Sequence, residues 1–126
     1  MSLTNTFETT TLTWLLTAGS ATRPTAWYIG LYTTAPTDVG GGTEVSGGSY
    51  VREASTFVVS GDTASNNAAI EWPTATDSWG VVVAAGIFDA SVGGNLIAYG
   101  NLNDTKNITT GDVFRISSGN LDVTLD

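Results

Sequence analysis

With 126 residues, 12 acids against 4 bases and a net charge of −8, the chain reads as one small acidic domain, long enough to bury about two-thirds of its unfolded surface. Clustered Lys and Arg are missing, which argues against nucleic acid or an anionic membrane surface as a partner. Cysteine and histidine are absent, removing disulfides, thiolate metal sites and the usual near-neutral catalytic base, so no cofactor or metal is expected.

The chain opens Met1-Ser2-Leu3-Thr4-Asn5-Thr6, without the basic and apolar regions of a secretory signal. No apolar run reaches the ~18–20 residues of a membrane span. Assembly in a cytoplasm is the expectation. A helix is predicted over about Asn5 to Ala18, capped by Asn5 with Glu8 three residues on, and stopped by Gly19 in the left-handed conformation. Phe7, Thr11, Trp14, Leu15 and Ala18 form one stripe, which Leu12 and Leu16 widen. Threonine is a poor helix former, so packing on the body or on a neighbouring chain must hold this segment.

From Pro24 onward the pattern is β. Strands are predicted near Ala26–Thr33, Tyr50–Val58, Asn67–Glu71, Gly80–Asp89, Leu96–Leu102, Val113–Ser117 and Asp122–Leu125. Turn residues separate them at Ala35–Asp38, Ser60–Asp62, Ser91–Asn95, Thr110–Asp112 and Ser118–Asn120. Pro73 ends the strand before it, because proline cannot donate to a ladder. Threonine occurs 21 times, which suits pleated sheets with polar faces. The expected fold is mainly β, an antiparallel β-sandwich or jelly roll, with residues 1–20 as an N-terminal helical segment and 24–126 as the body.

Few residues point to chemistry. Asp89–Asn95 places oxygen ligands at alternate positions, but it lacks the other acids of a calcium loop and reads as a hairpin turn. Gly40, Gly41, Gly42, Gly47 and Gly48 are followed by a strand and by no Lys-Ser or Lys-Thr, so they make a surface loop and no phosphate cradle. Carboxylate pairs such as Glu44 with Glu53, or Glu71 with Asp77, are solvated acids before they are a hydrolase site. Trp14, Trp27, Trp72 and Trp79 are core or interface anchors in preference to a sugar platform. Trp27 and Tyr28 point to opposite faces of their strand, whose run to Tyr32 is expected in the core. Arg52 is expected to pair with Glu44 or Glu53 and so to hold the loop.

Trp27–Asp38, the block Thr43-Glu44-Val45-Ser46-Gly47-Gly48-Ser49-Tyr50 with Arg52, Pro73–Thr76 with Trp79-Gly80, Gly86–Ala90, Gly93–Leu96 with Gly100, and Leu121–Leu125 together resemble the small tail-fibre-like virion proteins of tailed bacteriophages. The Thr43–Tyr50 block is the specific part of that likeness. The Thr-rich helix, with Glu8 its single charge, departs from the more charged amphipathic helix of the family.

The resemblance implies a non-enzymatic virion structural protein. The preferred reading is a capsid decoration (cement) protein on the head, a homo-oligomer expected to be a trimer, touching the major capsid protein or another virion protein. The alternative is a tail appendage that binds host-surface glycans. The expected contact residues are Trp14, Asp38, Glu44, Tyr50, Arg52 and Trp79. The loop from Asp38 to Ser49 and the N-terminal segment are expected to reach a neighbouring subunit.

Overall fold

A computed structural model describes residues 1–125. Its elements run β1 (Ser2–Leu3), α1 (Asn5–Leu16), β2 (Tyr28–Thr34), β3 (Thr43–Glu44), β4 (Glu53–Ala54), β5 (Phe57–Ser60), β6 (Thr63–Asn66), β7 (Ile70–Glu71), β8 (Gly80–Phe88), β9 (Leu96–Ile108), β10 (Arg115–Ile116) and β11 (Asp122–Thr124). The main sheet has the order β1-β9-β8-β2-β3, with β4 also on β2, and two smaller sheets pair β10 with β7 and β11-β6-β5. Every pairing is antiparallel. The fold is mainly β with one helix, as expected from the sequence.

Register decides which side chains meet. Ile29 lies opposite Ile87 and Leu31 opposite Ala85, and all four are buried. Against that face pack Ile70, Trp72, Phe114 and Leu121 from the segments of the smaller sheets, making one layered, sandwich-like core. Each such apolar side chain contributes ~1.5–3 kcal/mol on burial. The interleaved residues Tyr28, Gly30 and Tyr32 pair with Phe88, Gly86 and Ala84, so they lie on the other face of the same strands. Buried Asn66 joins the layers: its amide donates to the carbonyls of Ala68 (2.8 Å) and Ser117 (3.0 Å), and its oxygen accepts from the Leu121 N–H (2.9 Å).

Several predicted boundaries move. Tyr50–Val58 is not one strand, since Tyr50–Arg52 turns inward and β4 and β5 belong to different sheets. The Asn67–Glu71 strand begins only at Ile70, because the Asn66 side chain shapes the residues before it. β9 runs on from Leu102 to Ile108, where a register shift absorbs the extra residues and lets Val82 pair with Lys106. β1, β3 and β6 were not predicted; Thr-Glu and Thr-Ala-Ser-Asn carry no apolar alternation to announce a strand.

The helix is corrected at both ends. Thr4, not Asn5, precedes it, and no side chain caps it. The Thr4 hydroxyl donates to the Leu96 carbonyl at 2.8 Å, and the Asn5 N–H donates to the Asp38 carbonyl at 3.0 Å. Gly19 is not the left-handed stop; the helix ends at Leu16 with Thr17 extended. Thr10, Thr11 and Thr17 donate to carbonyls four residues back, an arrangement that satisfies the hydroxyls without strengthening the helix. No helix residue is buried, and Leu12, Trp14, Leu15 and Leu16 are 56–73% exposed.

Thr4 is 4% exposed and fastens the start of α1 to β9. Thr4→Val should cost about 1–2 kcal/mol, the value of a buried hydrogen bond whose acceptor is left unpaired. Equilibrium urea unfolding reads this directly, and an unchanged midpoint would mean that the anchor carries no stability.

Candidate functional site

Glycine sets the geometry of the sheet's second face. Gly30 and Gly86 are register partners on β2 and β8. A Cβ on Gly30 would lie 2.8 Å from the Phe88 ring and 2.9 Å from Glu44 Oε2, and one on Gly86 would lie 3.0 Å from the Tyr32 ring. The paired glycines therefore leave a floor onto which the Tyr32 and Phe88 rings settle, nearly parallel with centroids 6.2 Å apart.

Arg52 lies on that aromatic plate, its guanidinium carbon 3.5 Å from the Phe88 centroid. Its Nε donates to Glu44 Oε2 at 2.9 Å and its Nη2 to Glu44 Oε1 at 2.8 Å, a bidentate pair. Nη1 donates to the carbonyls of Ala90 (3.0 Å) and Gly93 (2.8 Å) in the β8–β9 hairpin. The Tyr50 hydroxyl donates to Glu44 Oε2 at 2.7 Å and accepts from the Leu31 N–H at 2.9 Å. Burial, and next the hydrogen bond to Glu44, push the Tyr50 phenol far above its ordinary range. Burial likewise raises Tyr32 to about 12, with Glu44 adding to it. Both phenols stay protonated throughout the physiological range, as the donation from Tyr50 to the carboxylate requires.

The glycine-rich loop is fastened at a second point. The Gly48 carbonyl accepts from Trp79 Nε1 at 2.9 Å and from the Thr76 N–H at 3.1 Å. A Cβ on Gly48, whose φ is +58°, would lie 2.9 Å from that indole nitrogen. The Ser49 hydroxyl donates to the Thr74 carbonyl at 2.7 Å. The Tyr50 and Trp79 rings meet edge to face, centroids 5.4 Å apart, and Val45 is buried beneath the loop.

The six expected contact residues thus separate. Glu44, Tyr50, Arg52 and Trp79 come together through contacts within the protomer. Arg52 chooses Glu44 over Glu53. Trp79 is 5% exposed, so its indole supports the loop from within. Asp38 is exposed; its carboxylate accepts from the Tyr99 hydroxyl and its carbonyl from Asn5 at the start of α1. The Asp38 contact is the largest influence raising the Tyr99 phenol. Trp14 is 62% exposed.

Sequence reasoning missed Gly30, Gly86, Tyr32 and Phe88 as parts of this assembly. The signal was present: a glycine inside an apolar strand marks a close approach, and there are two, in YIGLY and AAGIF. Elsewhere, Asp89 accepts from the Asn95 N–H at 2.6 Å and from the Asn95 amide at 3.0 Å, closing a hairpin. The Asn95 N–H holds the Asp89 carboxyl below its ordinary value. Trp72 is buried against Phe114.

The body is thus an antiparallel β domain whose polar clusters tie its loops to the main sheet, with an exposed helix beside it. The family model described as Podophage GP4 fiber I protein gp80 matches residues 2–124, and the chain belongs to that family. It is a bacteriophage virion structural protein. A comparison with curated proteins found no match.

Proposed function

We propose that the chain is a non-enzymatic, homo-oligomeric subunit, most simply a trimer, built into a tail fibre of the virion. The fibre assignment leans on the family description. Oligomer formation leans on one observation: α1 carries Leu12, Trp14, Leu15 and Leu16 exposed and buries none of its residues. A 12-residue helix is marginal in water without packing on an apolar face. On this reading residues 24–126 are the body of one domain, and the segment 1–20 is its connecting element.

A second location, head decoration beside the major capsid protein, draws support from the small antiparallel β body of this domain. Immunogold labelling of whole virions separates the two: gold at the tail supports the fibre, and gold over the head overturns it. Glycan binding through tryptophan stacking gains little support, because Trp72 and Trp79 are buried.

Trp14 tests the oligomer. Trp14→Ala should shift unfolding of the protomer by no more than about 0.5 kcal/mol, as for other exposed sites. Its dissociation constant for assembly should rise at least about tenfold, in keeping with an aromatic interface anchor. Sedimentation velocity with parallel thermal unfolding reads both. Equal loss of fold and assembly would make Trp14 a core residue.

A further inference from the structure

The sheet β11-β6-β5 ends on β5, and among the described residues no strand pairs with the outer side of β5. Two hydrogen bonds set the phase of this ladder. The Asn67 N–H donates to the Thr56 carbonyl at 3.1 Å, and the Asn66 N–H donates away from β5, to the Leu121 carbonyl at 3.2 Å. Antiparallel pairs alternate between bonded and non-bonded. With Val58 opposite Ser65 and Val59 opposite Ala64, Thr56, Val58 and Ser60 turn their backbone groups to β6. Phe57 and Val59 turn theirs to the open side. Just upstream the chain covers that side itself, where the Ser55 N–H donates to the Trp27 carbonyl at 2.9 Å. The open stretch is Phe57–Ser60.

Sheet edges are commonly blunted by lysine, proline or a bulge. Phe57-Val58-Val59-Ser60 carries no charge and no proline, and its pairing with β6 runs without a register shift. Val58 is 55% and Val59 71% exposed, on opposite faces of the strand. On its own face Val58 is the single apolar side chain, beside Ser60, Thr63, Ser65, Asp122 and Thr124. Those neighbours satisfy one another, Ser65 donating to Asp122 and Thr63 bonding Thr124.

We propose that β5 is a self-pairing edge, which joins two copies antiparallel across a two-fold axis and merges their small sheets. An open edge selects an extended strand through its backbone donors and acceptors, and one register answers those of both copies. Phe57 of one copy exchanges N–H···O bonds with Val59 of the other, and Val59 with Phe57. That register puts Val58 opposite Val58 at the axis, in a non-bonded pair, where facing side chains approach most closely. The same segment thus satisfies the outward backbone groups and covers the exposed valine of its polar face. The contact is isologous. It uses no residue of α1, so it goes beyond the helix-borne oligomer proposed above and stands apart from it. Copies carrying −8 repel, which makes a covalent trap the suitable reading of the pair.

The chain has no cysteine, so Val58→Cys places a single thiol at the axis. Non-bonded antiparallel neighbours stand about 4.5 Å apart at Cα, within disulfide reach. After mild oxidation with diamide, Val58→Cys should run as a covalent dimer on non-reducing electrophoresis. Val59→Cys, whose partner in this register is Phe57, should stay monomeric. A monomeric Val58→Cys would overturn the contact, and equal cross-linking of the two variants would reduce it to chance collision. Adding Val59→Pro to Val58→Cys should abolish the cross-link while the protomer still melts cooperatively, because proline is tolerated where an edge N–H faces solvent. A protomer unfolded by Val59→Pro would show that this N–H bonds β6 and would overturn the phase. Trp14→Ala should leave the Val58→Cys cross-link intact; its loss there would make the contact part of the α1 oligomer and overturn its independence.

Discussion

Arg52→Ala is expected to remove about 3–4 kcal/mol of folding stability, on the order of 10 °C in melting temperature for a domain of this size. The Arg52 side chain is 10% exposed and that of Glu44 25%, so this is a largely covered pair and not a surface one. The substitution strands the Glu44 carboxylate against the Tyr50 hydroxyl and frees the Ala90 and Gly93 carbonyls. It also uncovers the Phe88 ring. Arg52→Lys should recover less than half of the loss, because a point charge cannot span both Glu44 oxygens and two carbonyls at once. Chemical denaturation of both variants is the measurement. A loss below about 1 kcal/mol for Arg52→Ala would show the pair behaving as an exposed one.

Trp79→Ala should cost about 3–5 kcal/mol, the range for deleting a large buried aromatic. The more telling variant is Trp79→Phe. It keeps most of the ring against Tyr50 but deletes the donor to the Gly48 carbonyl, a loss of about 1–2 kcal/mol. Trp79→Phe should also raise amide hydrogen exchange across Gly47–Tyr50 while leaving the oligomer intact. Dissociated oligomer with unchanged loop exchange would return Trp79 to the interface.

These two residues show how the most distinctive block of the sequence works. Thr43–Arg52 looks like an outward-reaching loop, since glycine and serine dominate it. Its informative residues are instead the inward ones. Glu44, Tyr50 and Arg52 make a charged, hydrogen-bonded clasp over an aromatic plate, and Gly48 is pinched against Trp79. Such a loop tolerates little change at those positions because each contact is geometrically exclusive. The glycines around them have the simpler task of turning the chain.

Much of the fold is legible locally. Antiparallel β class, the turns at Ser60–Asp62, Thr110–Asp112 and Ser118–Asn120, the helix and the pairing of Arg52 with a nearby glutamate all follow from turn chemistry, periodicity and short range. Turn glycines at positions 61, 111 and 119 do adopt positive φ. Strand ends are less legible: the Asn66 amide delays β7, and a register shift lengthens β9.

The candidate site was half legible. Its charged members were named from the sequence, but their direction was not. Which face of β2 receives Arg52 depends on Gly30 lying opposite Gly86, a register between strands more than fifty residues apart. Which apolar stripes stay open depends equally on long-range closure. From sequence alone, Leu15 and Val59 are ordinary core candidates, since periodicity marks a side chain as apolar and not as covered. Local residue chemistry therefore determined the β class, the turns and the absence of histidine and cysteine chemistry. Only the tertiary structure decided that Glu44, Tyr50 and Arg52 of the signature loop turn onto the sheet and that the helix stays exposed, because burial is a property of the distant chain that arrives to cover a surface.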